Sequence, residues 1–532
     1  MKKKALTIYM VCLFSIAAAQ KNIDVSHYTY FITLNDKNDT ISGFARIEFE
    51  AFQPLDTISL DLAAPNSSGK GMIVSRVMET YPDFRDSLKF IQSNDKLIIA
   101  VQLKTAYRNT LIIEYKGIPS DGLIISKNKY GKRTFFSDNW PDRAHNWIPC
   151  IDDPADKASV HFRVEAPVNY KVVSNGTLFR EKINEVKNTK TTLWKEDIPL
   201  PTKVMVIGVA DFAVDSVGEV NGIPVSSWVF KENQKEGFYD YAQAKEVLSF
   251  FINYIGPFPY KKLANVQSKT IYGGMENASA IFYYENSVTG ERQEESLFAH
   301  EIVHQWFGDM ATEKSFVHIW LSEGFATYLT RIYVESKYGT DKMIEEMKND
   351  RLNVIAFSKE SKRPIVDSVT PYKQLLNPNS YQKGGWILHM LRRQLGDSVF
   401  HKIIRSYYTA YSGKNADTKD FQKICEKESG KKLETFFQQW LYTAGQPNVE
   451  VKWTYDAKNK MILLKIKQLQ NTLFQFPLDI LVESGSGKKL LQTLAITKQN
   501  QQFIISVKEK PRHLYLDPKS SLLFEGFISK TN

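Results

Sequence analysis

His300-Glu301-Ile302-Val303-His304 stands inside an apolar helical stretch, and eighteen residues separate His304 from Glu323 in Trp320-Leu321-Ser322-Glu323-Gly324. Residues i and i+4 share one helical face, so both imidazoles can reach a single ion. Glu301 sits beside that face, where it can reach a water at the ion without ligating. Leu297, Phe298, Ile302, Val303 and Trp306 are apolar, which reads as a buried helix. Burial makes two histidines and a glutamate costly unless they are paired or ligating. The five-residue pattern alone would arise by accident about once in a hundred chains of this length. Glu323 changes that reading. It offers a third ligand on a following helix, and residues 308–316 are long enough to turn the chain back. Catalytic zinc sites keep three protein ligands and leave a fourth place for water. The expectation is one Zn2+ per chain on His300, His304 and Glu323. Glu301 would then act as general base toward the water, and an oxyanion would need a further donor.

Upstream, Gly273-Gly274-Met275-Glu276-Asn277 follows an apolar run ending Ile271-Tyr272. Two glycines let a substrate backbone approach closely, and a glutamate at that spot can hold a cation. Read alone, the glycine pair is a turn or bulge. Further out, the texture divides the chain. Period-two or apolar runs at 28–34, 41–52, 97–103, 111–115, 160–165, 170–173 and 204–207 predict strands. Helical patterns run over 235–255, 291–309 and 316–338 and continue to about 442. Thr443-Ala444-Gly445-Gln446-Pro447 reads as a linker. Strands return at 449–455, 461–467, 478–483, 490–495, 503–507 and 513–516.

Composition fits this layout. The chain has 532 residues, 43% hydrophobic, 13% aromatic and 24% charged, with 3 cysteines. That excludes a disordered chain, a coiled-coil rod and a disulfide scaffold. A formal net charge of +10 includes Lys2, Lys3 and Lys4, and no Lys/Arg block has nucleic-acid-binding density. Lys2–Lys4, the apolar residues 5–16 and Ala17-Ala18-Ala19 form a secretory signal pattern ending before Gln20. The expectation is an exported bacterial protein, periplasmic or extracellular, with no stable membrane insertion once the leader is cleaved. Cys150 and Cys425 are expected to be free and buried.

The combination of HExxH, the glutamate after eighteen residues and GGMEN resembles the zinc aminopeptidases of the aminopeptidase N and leukotriene hydrolase type. Pro149-Cys150-Ile151-Asp152-Asp153-Pro154-Ala155-Asp156-Lys157 is similar to that family's Pro-Cys-x-Asp-x-Pro-x-x-Lys stretch, and Tyr381-Gln382-Lys383-Gly384 to its Tyr-x-Lys-Gly. The resemblance implies a multidomain α+β fold. Residues 1–19 would be a signal peptide and 20–215 an N-terminal β saddle or sandwich. Residues 216–445 would form a thermolysin-like, mainly helical catalytic domain, and 446–532 a small C-terminal β-sandwich. It implies that Tyr381 donates to the oxyanion and that Glu276 binds the free α-amino group of a peptide substrate. Gly273, Gly274, Met275 and Asn277 would line that substrate. Two departures stand out. The family's second amine-binding Glu or Gln falls at Trp140, with Asp138 and Asn139 as the nearest polar substitutes. The family's long helical C-terminal domain has no counterpart here, which implies an open site or one covered by a second copy of the chain. His145 and His318 are read as structural. Two alternatives remain: a peptide-binding relative without catalysis, and a zinc hydrolase acting on internal peptide bonds or epoxides.

Overall fold

The computed structural model describes residues 22–81, 86–104 and 107–531. The expected leader, residues 1–19, lies outside the described residues. Among the described residues, no helix is long and apolar enough to cross a membrane.

The N-terminal part is built of strands. Ile23–Thr33 buries Val25, Tyr28, Tyr30 and Ile32 on one face, with a bulge between Val25 and His27 resetting the alternation. It pairs antiparallel with Ile41–Ala51 and parallel with Lys157–Pro167. These three strands lie inside a seven-stranded sheet. A four-stranded sheet and a three-stranded sheet complete this region. Cys150 is buried here, and Cys425 is buried in a later helix; both are free.

A five-stranded mixed sheet follows, in the order Phe212–Val220, Ile223–Phe230, Leu263–Ser268, Ala280–Tyr284 and Gly274–Met275. Phe212–Val220 straddles the boundary expected at residue 215 and belongs to this sheet by its pairing with Ile223–Phe230. Gly274–Met275 is the edge strand, with Gly274 opposite Tyr283 and Met275 opposite Phe282. An edge strand keeps one side of its backbone unpaired.

Helices take over after the sheet. The expected helix 235–255 divides into Gln234–Tyr241 and Ala244–Tyr254, and Tyr239 is exposed. The helix expected over 291–309 is confined to Glu295–His304. Arg292 has φ 56, outside helical space, and Gly308 with φ 121 turns the chain away. The next helix, Trp320–Tyr338, is entered through a 3₁₀ turn, Phe316–His318. Five further helices reach Leu441. The C-terminal part carries all six expected strands and a seventh, Glu525–Lys530, in a four-stranded and a three-stranded sheet. The chain is thus a β-rich N-terminal region, a helical middle and a C-terminal β module, as the patterning predicts.

Candidate metal centre

His300, His304 and Glu323 come together at one point. The two Nε2 atoms are 3.1 Å apart, and each lies 3.3 Å from Glu323 Oε2. Ligands held ~2.0–2.1 Å from one ion at tetrahedral angles are themselves separated by about 3.3–3.4 Å. The spacing therefore suits a single zinc-sized ion. The tautomer suits it too. His304 Nδ1 lies 3.1 Å from the Phe307 carbonyl oxygen, which only accepts. The ring proton is therefore on Nδ1, and the Nε2 lone pair faces the triangle. Burial opposes charge on His304, yet Glu323, Glu276 and Glu301 push it up to about 10. These carboxylates call for positive charge at this spot, which a divalent cation meets better than a proton.

The local chain explains the approach of the helices. Ser322 Oγ lies 3.0 Å from His304 Nδ1, and a Cβ on Gly308 would stand 2.3 Å from the same hydroxyl. A Cβ on Gly324 would meet the Gly384 backbone at 2.9 Å. This backbone contact brings the turn Asn379–Lys383 over Glu323. That turn is π-helical, a form frequent at functional sites. It lays the Tyr381 ring nearly parallel to His300, with centroids 5.8 Å apart. Burial first, then the carboxylates Glu323, Glu276 and Glu301, push the Tyr381 phenol well above its ordinary range, so it stays a donor. Lys383 Nζ donates to the Gly445 carbonyl at 2.8 Å, tying this turn to the expected linker.

One cavity of about 240 Å³ is lined by His300, His304, Glu323, Glu301, Tyr381, Gly273, Gly274, Met275 and Glu276. Glu276 is buried, and its Oε1 has no hydrogen-bond partner among the described residues. Asn277 is also fully buried but does not line the cavity. The two glycines differ. A Cβ on Gly273 would meet only Leu297 Cδ1, at 3.9 Å, whereas one on Gly274 would strike the Glu301 carboxylate. Only Gly273 leaves room toward a ligand.

Sequence profiles of known families match both halves of this arrangement. The Peptidase M1 N-terminal domain matches residues 25–204, and the Peptidase family M1 domain matches 239–440. The chain belongs to peptidase family M1. It is 27% identical over 504 residues to "Probable aminopeptidase 2" of Sulfurisphaera tokodaii, covering 90% of this chain and 61% of the relative. It is 26% identical over 464 residues to aminopeptidase M1-D of Oryza sativa (83% and 49%), and 28% over 333 residues to aminopeptidase M1 of Arabidopsis thaliana (59% and 37%). The chain thus spans about half to three-fifths of the first of these relatives.

In this member of family M1, the polar residues beside Trp140 are already engaged. Asp138 pairs with Arg143 and accepts from Thr270 Oγ1 at 2.9 Å and from the Ile271 amide at 3.1 Å. It secures the approach to Gly273. Asn139 donates to the carbonyls of Thr202 and Met205 and accepts from Trp147 Nε1. Neither can serve as an amine anchor. Trp140 itself lines the cavity, packed edge-on against Tyr272 and Phe316. His145 pairs with Asp152, and His318 with Thr418 Oγ1, so neither joins the metal centre.

Sequence reading missed Gln305. Its Nε2 donates to the Glu276 carbonyl at 2.6 Å and to Asp309 Oδ2 at 3.0 Å, and its Oε1 accepts from the Ser279 amide at 2.7 Å. It ties the Gly-Gly-Met-Glu-Asn loop to the end of the ligand helix. Its position next to His304, inside an apolar stretch, was the only signal.

Proposed function

We propose that this M1 peptidase is a zinc aminopeptidase that releases the first residue from peptides with a free N-terminus. The observation that carries this reading is the shared cavity: a ligand triangle of zinc dimensions, an adjacent carboxylate, and, directly after an edge strand, the buried carboxylate of Glu276, whose Oε1 has no hydrogen-bond partner among the described residues. The names of the relatives support it.

When held by His300, His304 and Glu323, zinc supplies a Lewis acid that polarises a carbonyl and acidifies a water. Glu301 accepts a proton from the attacking water and delivers it to the leaving amine. Burial pushes its carboxyl well above the ordinary range, which suits a group that must carry a proton between two steps. Tyr381 donates its phenol hydrogen to the developing oxyanion. Glu276 pairs with the substrate α-ammonium. Such a pair fixes the register, so that one residue fits before the scissile bond. The edge strand Gly274–Met275 offers backbone groups to the bound peptide. The remaining cavity wall is Trp140, Tyr272, Met275, Leu297 and Leu376, which favours an apolar first side chain over a charged one. An internal peptide bond brings no ammonium to Glu276, which weighs against endopeptidase action. The signal pattern in residues 1–19 supports an exported enzyme, which cell fractionation would test.

The deciding experiment uses aminoacyl-arylamides, free and N-acetylated, with and without a zinc chelator. Chelator-sensitive release from the free-amine set alone is expected. Equal cleavage of acetylated substrates would remove the amine-anchor role. No cleavage of either set, with zinc bound, would favour a peptide-binding protein.

A further inference from the structure

Lys157 closes the Pro-Cys motif, and the reaction does not use it directly. It opens the strand Lys157–Pro167 of the N-terminal β region. Its Nζ leaves that region and donates to the carbonyls of Met310 at 2.7 Å and Asp309 at 3.2 Å. Both acceptors lie in the loop between the two ligand helices. Lys203, from the same region, pairs with Glu313 in that loop at 2.6 Å, with both side chains buried.

The loop they hold is the one that sets the metal centre. Phe307 supplies the carbonyl that fixes the His304 tautomer. The Asp309 amide donates to the His304 carbonyl at 3.1 Å, and Thr312 Oγ1 donates to the Asp309 carbonyl at 2.7 Å. Asp309 Oδ2 accepts from Gln305, whose same nitrogen holds the Glu276 carbonyl. A displacement of residues 307–313 therefore reaches His304 and Glu276 together.

We propose that Lys157 is a positioning residue of the metal centre, acting across the domain boundary by fixing the loop that orients His304 and, through Gln305, Glu276. Lys203 reinforces the same loop. The inference rests on the metal-centre reading above. Residues that orient a ligating histidine commonly change metal affinity about 10–100-fold when removed.

Lys157 is the residue to test, because its acceptors are neutral carbonyls. Removing Lys203 would strand the Glu313 carboxylate and confound positioning with folding. The measurement is zinc transfer from the purified, zinc-loaded protein to a chromogenic chelator, alongside the visible absorption spectrum of the cobalt-substituted protein. Lys157→Met is expected to release zinc about 10–100-fold faster, alter the cobalt spectrum and raise KM for a free-amine substrate. Lys157→Arg, which keeps a long side chain ending in N–H donors, should restore much of the slow release. Val164→Ala on the same strand serves as the folding control, with a lowered melting temperature and unchanged zinc release. If Lys157→Met does not fold, Lys157→Gln, a shorter donor, carries the same comparison. Zinc release and a cobalt spectrum like those of the unmutated protein would overturn the proposal, however far the melting temperature falls. An unmutated protein that cannot be loaded with zinc would instead overturn the metal-centre reading, and this inference with it.

Discussion

Gly274 lies so close to Glu301 that a methyl group on its Cα would stand 2.3 Å from Glu301 Oε1. The edge strand and the ligand helix thus share a contact that only a missing side chain permits. Gly274→Ala should push the Glu301 carboxylate off its position and lower kcat/KM about 100-fold, since errors near 1 Å at a reacting group cost that much. Zinc content should stay at one per chain. Gly273→Ala meets only Leu297 Cδ1 at 3.9 Å and should fold as well as the unmutated protein, its cost appearing in KM. Equal kinetic defects in the two variants would contradict this division.

Glu301 should be separable from metal binding. It is buried beside the ligand triangle and is not one of its members. Glu301→Gln keeps shape and volume but cannot accept the proton. The expected loss in kcat is about 10²–10⁴-fold, the usual worth of a general base. Zinc measured by atomic absorption should be unchanged. Loss of zinc in parallel with activity would make Glu301 structural.

Much of this site was legible in the sequence because its chemistry is local. The i, i+4 spacing of His300 and His304 sets their common face before any tertiary contact forms. The strands were legible for a similar reason, as Tyr28, Tyr30 and Ile32 display the alternation of a half-buried sheet. What escaped was what tertiary contact alone decides. Gly274 and Gly273 look alike in the sequence, and only the packing of Glu301 distinguishes them. Asp138 and Asn139 look free to bind an amine until Arg143, Thr270 and Trp147 are seen to engage them. Helix ends were misplaced where a backbone angle intervened, as at Arg292.

Glu276 should govern the free amine. Its Oε1 is buried without a hydrogen-bond partner among the described residues, so the substrate ammonium would be its counter-charge. Glu276→Gln removes that charge and should lower kcat/KM for free-amine arylamides about 10²–10³-fold, in line with truncating one side of a buried charged pair. The effect should be far smaller on any residual cleavage of N-acetylated substrates. A similar loss on both sets would assign Glu276 to the fold of the loop instead.

Tyr381→Phe should separate rate from binding. The phenol is a donor needed only once charge develops on the oxygen, so kcat should fall about 10²–10³-fold with little change in KM. A rise in KM at constant kcat would make Tyr381 a binding residue.

Lys262 predicts a pH dependence of stability. Its Nζ donates to the carbonyls of Ser174 and Ser279 and to Ser279 Oγ, and it lies 5.0 Å from the Trp194 ring centre. Burial pulls it down to about 7, with Glu196 the charge that opposes the shift. Between pH 7 and the ordinary lysine range, the unfolded chain binds this proton and the folded chain does not. Stability therefore rises with pH across that window, by at most ~1.4 kcal/mol per pH unit from this group, and the gain is absent below pH 7. Lys157, pulled down to about 7, and Lys383, to about 8, act in the same direction. The test compares the unmutated protein with Lys262→Met by urea unfolding at pH 7 and pH 9. The unmutated protein should gain about 1–2 kcal/mol more than the variant over this interval. Parallel profiles would mean that Lys262 keeps its proton in the folded state, held there by Glu196 and the carbonyls around it.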